Sequence, residues 1–220
     1  PTQAIIALSE IIEESSDQKD LVQDIAKRIT AEGLKIGEIV KTTLHYSRKD
    51  NSNKKLDDIN RVLTHAILLL KSRTENKGIK LELDLDKSIP KTIINSRQIE
   101  QILINLVLNS IDALESNEDP EKERLIHISA FTNEAKDEIE LVIHDNGHGI
   151  PSKNMAQIKE AFFTTKEAGK GTGLGLSIVD EIVRDHGGSF ELQSIEGEYT
   201  KAILKFPVLS TNTASKPISS

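Results

Sequence analysis

The sequence predicts an α+β chain: a two-layer α/β sandwich, with helices over a mainly antiparallel sheet, preceded by an α-helical hairpin. Three observations predict it. Residues 1–48 carry a helical apolar period with one polar interruption. From residue 56 onward the apolar period switches repeatedly between 3.6 and 2. Two of the period-2 runs, Ile126–Thr132 and Ile139–Asp145, are joined by a polar turn, as in an antiparallel pair.

In the first segment Ile5, Leu8, Ile11 and Ile12 form one stripe, and Ser15-Ser-Asp-Gln18 breaks it. Leu21, Ile25, Ile29, Ile36, Ile39, Val40 and Leu44 form the second stripe. Two helices with a short polar joint make an antiparallel hairpin. Such a unit buries little by itself, so it is expected to pair with a second copy as a four-helix bundle. The competing arrangement is packing on the chain's own globular domain. Lys49–Lys55 is a charged linker. Leu56–Asn76 reads as a helix stopped by Lys77-Gly78, Ile79–Leu85 as a half-buried strand, and Ser96–Leu114 as a strongly periodic helix. Leu174–His186 is a further helix, and Ser189–Ser194 and Thr200–Phe206 are the last strands. The expected division is a hairpin over 1–50, a globular domain over 51–209, and a small, polar, disordered tail over 210–220.

Charged residues make up 29% and hydrophobic ones 37%, ordinary for a globular protein, and the net charge of -7 argues against a general nucleic-acid or anionic-membrane binder. With no cysteine, disulfides, thiolate metal sites and cysteine nucleophiles are excluded. No segment reaches the ~18 consecutive apolar residues of a membrane span. Pro1-Thr-Gln-Ala-Ile-Ile lacks the basic start and cleavage site of a signal peptide.

Four segments carry chemistry. Gly169-Lys-Gly-Thr-Gly-Leu-Gly-Leu176 places glycines at every second position and opens into a helix. Such a run lets backbone N–H groups approach an anion where a helix N-terminus adds partial positive charge; a flexible surface loop is the plainer alternative. On the helix before it, Asn105 and Asn109 share a face and Asp112 lies beside Asn109. A carboxamide oxygen is a competent Mg²⁺ ligand, although these residues could equally cap neighbouring backbone. In His144-Asp-Asn-Gly-His-Gly149, Asp145 ends a strand and can accept from an exocyclic amine, while Gly149 leaves room for a flat ring; a simple turn is the alternative. Finally, Phe162-Phe-Thr-Thr-Lys166 joins aromatics, which are more often core, to a lysine able to reach phosphate. The pattern G-x-x-x-x-G-K-[ST] is absent, which disfavours a Walker-type site.

In order and spacing these segments resemble the nucleotide-binding domain of sensor histidine kinases, within the GHKL superfamily of gyrase, heat-shock chaperone, histidine kinase and mismatch-repair ATPases. Asn105/Asn109 match its asparagine box and Asp145-x-Gly147-x-Gly149 its first glycine box. Phe162-Phe-Thr-Thr-Lys166 matches the phenylalanine box and Gly171-Thr-Gly-Leu-Gly175-Leu176 the second glycine box. The closing Gly187-Gly188 and the strand around Thr200 also fit, and the Asn-Ser-Ile-Asp-Ala and Phe-Phe-Thr-Thr-Lys forms look like the nitrogen-regulation type. Residues 28–48 look like the second helix of the dimerisation and phosphotransfer hairpin. Pro1 looks like the proline of the family's His-Glu-x-x-x-Pro motif, which puts the phosphoacceptor histidine five residues before it and makes His45 the wrong candidate.

The resemblance implies the ATP-binding (Bergerat) fold and a kinase that transfers the γ-phosphoryl group of ATP to that histidine, for relay to a response-regulator aspartate. It implies adenine on Asp145, with Gly147, Gly149, Ile150 and Thr200 around it, and Mg²⁺ on Asn109 with Asn105 on the same face. Residues 150–173 would form a lid bringing Phe163, Thr165, Lys166 and Lys170 to the nucleotide. Gly171, Thr172, Gly173, Leu174, Gly175 and Leu176 would line its phosphates, with Asp112 close by. Asn105, Asn109 and Lys166 are the expected catalytic residues. Hydrolytic members carry a glutamate at the position of Asn105, which cannot take a proton at neutral pH, so little hydrolysis is expected. The implied partners are a second copy through the hairpin and a response-regulator receiver domain, with no nucleic acid, and the implied location is the cytoplasm without direct membrane contact by these residues. Alternatives are a conformational ATPase of the same superfamily and a non-catalytic, nucleotide-sensing dimerisation module.

Overall fold

A computed structural model of the chain describes residues 2–14, 18–30, 33, 54–116, 123–166 and 171–209. It divides into two units, residues 1–52 with 162–173, and residues 53–161 with 174–220.

In the first unit α1 spans Thr2–Glu14 and α2 covers residues 19–30. Ile5, Leu8 and Ile12 are half-buried on α1, and Val22 and Ile29 on α2 flank the buried Ile25. Leu21, expected in that stripe, is exposed instead, as are Ile6 and Ile11. The expected continuation of the second helix to residue 48 lies outside the described residues, as does the tail. In the same unit the Phe162 N–H donates to the Gly173 carbonyl at 3.0 Å. Both residues have positive φ, 70° at Phe162 and 67° at Gly173. A Cβ at Gly173 would overlap the Phe162 carbonyl carbon, so glycine is required there on both counts.

The second unit builds β1 (Lys55–Asp57), α3 (Ile59–Glu75), β2 (Ile79–Leu85), β3 (Thr92–Ile94), α4 (Ser96–Glu115), β4 (Arg124–Thr132), β5 (Glu138–Asp145), α5 (Gly175–Asp185), β6 (Ser189–Ile195) and β7 (Tyr199–Pro207). Five strands form one sheet in the order β2-β4-β5-β7-β6, parallel only between β2 and β4. Its inner face carries Ile126, Ile128, Ile139, Leu141, Leu204 and Phe206, all essentially inaccessible. Against them pack Leu63 and Ile67 of α3, Ile102, Leu103, Leu106 and Ile111 of α4, and Val179 and Val183 of α5. The predicted two-layer α/β sandwich is therefore present, with α4 the central helix, packed against both α3 and α5.

One prediction is corrected. The helix expected from Leu56 begins at Ile59, because Asp58 is its N-cap and accepts from the Asn60 and Arg61 N–H groups at 2.9 and 3.3 Å. The residues before the cap are β1, antiparallel to β3, a second small sheet that the sequence reading lacked. Three-residue strands are too short for a period of 2 to register.

Polar contacts tie this small sheet to the helices. Asp57 accepts from Arg61 Nη2 at 2.6 Å, from Ser96 Oγ at 2.6 Å and from the Asp58 N–H at 2.8 Å. His186, at the C-cap of α5, is buried; its Nε2 accepts from the Asn95 N–H at 3.1 Å and its Nδ1 lies 2.8 Å from the Ile182 carbonyl. Lys54 Nζ reaches the Asp185 carboxylate at 2.9 Å and its carbonyl at 2.5 Å, fixing the start of the unit to the end of α5.

Candidate nucleotide-binding site

The site residues of the second unit lie on four elements. α4 carries Asn105, Asn109 and Asp112, and β5 ends at Asp145, with Gly147, Gly149 and Ile150 following. β7 carries Thr200 as the Cα partner of Asp145, and α5 begins with Gly175 and Leu176.

Asp145 is almost fully buried, at 3% exposure, and is held by two donors. Ser110 Oγ donates to its Oδ2 at 2.7 Å and the Gly147 N–H to its Oδ1 at 3.0 Å. Burial pushes its carboxyl above the usual carboxylate range, and these two hydrogen bonds pull the other way. Ser110 was absent from the sequence reading. The signal was available: it is a small hydroxyl in the buried stripe of α4, between Val107 and Leu114. Asn146 extends the β4–β5 pairing with its side chain, its Oδ1 accepting from the Leu125 N–H at 2.8 Å and its Nδ2 donating to the Glu123 carbonyl at 2.7 Å. The acid is thus fixed by a helix behind it and a strand beside it.

The loop after Asp145 is bound to the β6–β7 hairpin. Ile150 N–H donates to Ser194 Oγ at 2.8 Å, Ser194 Oγ donates to the Tyr199 carbonyl at 2.6 Å, and the Gly197 N–H donates to the His148 carbonyl at 2.7 Å. Thr200 Oγ1 lies 3.3 Å from the same Ser194 oxygen. Gly149 has a φ of 67°, and a Cβ there would overlap the Ile195 carbonyl oxygen, so only glycine lets the loop lie this close. Ser194, an inward-facing residue of an alternating strand, is a second hub that the sequence reading missed.

The other end of the site lies between α4 and α5. Asn105 Nδ2 donates to the Gly175 carbonyl at 3.3 Å, and a Cβ on Gly175 would stand 3.8 Å from Asn109 Nδ2. Both asparagines therefore face the first turn of α5. That turn differs from the starts of α3 and α4, whose N-caps Asp58 and Asn95 accept from backbone N–H groups. At α5 the N-cap is Leu174, which offers no side-chain acceptor to the N–H groups. A helix N-terminus whose N-cap residue gives no side-chain cap, beside two carboxamides, suits an anionic ligand. Among the described residues no group of three or more His, Asp or Glu side chains could hold a metal. The available donor set, a neutral amide oxygen on Asn109, fits Mg²⁺ that takes its remaining ligands from phosphate and water.

Phe163, Thr165, Lys166, Gly171, Thr172 and Gly173 belong to the first unit, where Lys166 N–H donates to Thr164 Oγ1 at 3.2 Å. A Cβ on Gly171 would stand 2.9 Å from that hydroxyl and 3.0 Å from Lys166 Cδ. Gly171 therefore lies against the stem of Lys166. Lys170 is outside the described residues.

The geometry has counterparts in known proteins. A family model described as histidine kinase-, DNA gyrase B-, and HSP90-like ATPase matches residues 94–210, just over half the chain and every element of the site. The chain is 26% identical to the sensor histidine kinase ZraS of Escherichia coli O157:H7 over 208 residues, 94% of its own length and 43% of the relative's. It is 31% identical to the two-component sensor PprA of Pseudomonas aeruginosa over 189 residues, 86% of its length and 20% of the relative's. It thus spans less than half the length of these curated relatives. Among solved structures, histidine kinase ThkA in complex with response regulator protein TrrA has the same fold: TM-score 0.67, 22% identity, 93% of this chain and 57% of that one. With the fold described and a family model matched over more than half its length, the chain belongs to the family of histidine kinase-, DNA gyrase B- and HSP90-like ATPases.

Proposed function

We propose that this chain is the ATP-binding catalytic part of a two-component sensor histidine kinase. It holds ATP for transfer of the γ-phosphoryl group to a histidine imidazole, from which a response-regulator aspartate takes it. The observation that carries the reading is the pairing of two preorganised ends: a buried carboxylate held by Ser110 and Gly147, and a helix N-terminus without a side-chain cap, faced by Asn105 and Asn109. The first suits the exocyclic amine of adenine and the second a triphosphate. Asn109 would hold Mg²⁺, which neutralises phosphate charge when bound. Lys166 would add a point charge, Phe163, Thr165 and Lys170 belong to the same expected set, and Gly171 to Leu176 would supply backbone donors. Asp112, Ile150 and Thr200 would complete the walls. Phosphoryl transfer needs positioning and charge neutralisation more than covalent help, and these groups supply both.

Asn105 spends its donor on the Gly175 carbonyl and has no basic atom to take a proton from water. That favours storage of ATP over hydrolysis. The exposed Ile6, Ile11 and Leu21 suit a hairpin that dimerises, and the ThkA–TrrA complex supports a receiver domain as the partner. No helix among the described residues is long and apolar enough to cross a membrane, and use of ATP suits an activity in the cytoplasm.

The test is equilibrium binding of a fluorescent ATP analogue to the purified chain with and without magnesium, followed by incubation with a hairpin domain that carries the acceptor histidine. Saturable, magnesium-dependent binding with little turnover, and label transfer to the added domain, are expected. Steady hydrolysis without transfer would assign the chain to the conformational ATPases of its family, and absence of saturable binding would end the proposal.

A further inference from the structure

We propose that Lys159 is a positioning residue for nucleotide binding: it bolts the segment leading to Phe162–Lys166 onto α5, the helix whose first turn faces the phosphates. The inference rests on the nucleotide reading above.

From residue 151 to residue 163 no side chain is fully buried; Pro151, Met155, Ile158 and Phe163 are only half-buried, so this stretch has a weak apolar anchor. Its backbone bonds also close on themselves. The N–H groups of Asn154, Met155, Gln157, Ile158 and Glu160 donate to carbonyls between Pro151 and Gln157. Before it the Ile150 N–H donates to Ser194 Oγ on β6, and after it the Phe162 N–H donates to the Gly173 carbonyl. The span between them needs a further tie to hold one position.

Lys159 supplies that tie. Its ammonium donates to the Phe190 carbonyl on β6, lies 4.3 Å from the centre of the Phe190 ring, and stands 3.8 Å from Asp180 Oδ1 on α5. Asp180 is in turn held by Arg184 at 2.9 Å, one turn along the same helix. The lysine is only 34% exposed and Asp180 18%, so the pair is partly shielded from solvent. A carbonyl, an aromatic face and a carboxylate converge on one ammonium, which is more than a solvated surface lysine requires. Lys159 stands three residues before the left-handed turn at Phe162.

Two variants of the full chain test this, Lys159→Met, which keeps an apolar stem, and Lys159→Arg, which keeps the charge. The readouts are magnesium-ATP affinity, amide hydrogen exchange over 155–166 without nucleotide, and Tm. Lys159→Met is expected to weaken binding by roughly tenfold, the loss of one charge-assisted hydrogen bond. It should also speed exchange over 155–166 and leave Tm nearly unchanged, and Lys159→Arg should restore both binding and exchange. Parental affinity or parental exchange in Lys159→Met would overturn the proposal, as would a large drop in Tm with no rescue by arginine. Because exchange is read without nucleotide, it judges Lys159 even if the parent chain fails to bind ATP, which would instead defeat the reading of the site.

Discussion

Ser110 on α4 donates its hydroxyl to Asp145 at the end of β5, and the 2.7 Å bond lies inside the core, where both residues are at most 5% exposed. It joins the helix that carries both asparagines to the strand that carries the acid. The spacing between the two ends of the site is therefore set by one buried polar contact as well as by apolar packing. A buried carboxylate is tolerated because two donors meet it, yet burial still raises its affinity for a proton.

Replacing Ser110 by alanine removes one of the two bonds that favour ionised Asp145. An amine donor on adenine needs the carboxylate as acceptor, so nucleotide affinity is full above the Asp145 pKa and falls as pH drops through it. In Ser110→Ala that fall moves to higher pH. Titrating ADP binding against pH in both proteins checks it, and superimposable profiles would sink the idea.

The two asparagines are expected to fail differently. Asn105 acts through Gly175, so Asn105→Ala loosens the start of α5 and weakens nucleotide with or without magnesium. Asn109→Ala removes the amide oxygen available to the metal, so it abolishes only the gain in affinity that magnesium confers. Binding of an ATP analogue in EDTA and in magnesium separates them. Identical behaviour of the two variants would mean that Asn105 also holds the metal.

Much of this was legible in the sequence because the informative residues are the costly ones. Amides on an apolar helix and an acid ending a hydrophobic strand each sacrifice stability, and the fold carries Asn105 and Asn109 on α4 beside the strand that ends at Asp145. What stayed hidden was the support. Ser110, Ser194, Asn146 and Lys159 are ordinary residues whose roles depend on what lies across from them: β5, the glycine loop, β4 and β6. No local period encodes that pairing. β1 and β3 escaped for a different reason: three residues carry too little pattern, and the cap Asp58, which would have corrected the helix start, follows another aspartate.

His186 makes stability depend on pH. Burial, opposed by the bond to Ile182, holds its imidazole below the usual value, and the network assigns the proton to Nδ1, with Nε2 accepting from Asn95. Lys54 and Asp185 face it with opposite charges. The unfolded chain takes up the proton near pH ~6.5 and the folded one only below that, so this contribution is complete above ~6.5 and is lost as pH falls. His144, also held low chiefly by burial, acts in the same range and the same sense. Tm should therefore fall between pH 7 and pH 5. His186→Phe should flatten that slope while orphaning the Asn95 N–H, at about 1–3 kcal/mol. A His144→Gln protein measured alongside apportions the effect, and an unchanged slope in His186→Phe would refute the assignment.

Asp57 acts at lower pH and in the same sense, through hydrogen bonds in place of burial. Hydrogen bonds from Arg61 and then Ser96 outweigh the cost of burial and hold its carboxyl well below the carboxylate range. For a depressed acid the contribution is fully present above the unfolded value of ~3.9 and is lost as pH falls below it toward the folded value. Asp57→Asn keeps the shape and an acceptor for Ser96 but removes the charge that Arg61 pairs with. At pH 7 it should cost about 2 kcal/mol in urea unfolding, the worth of a charged hydrogen bond. By pH 3 the parent has begun to lose the same interaction, so the gap between the two proteins should narrow. A gap of equal size at both pH values would mean that Asp57 holds β1, α3 and α4 together by shape and not by charge.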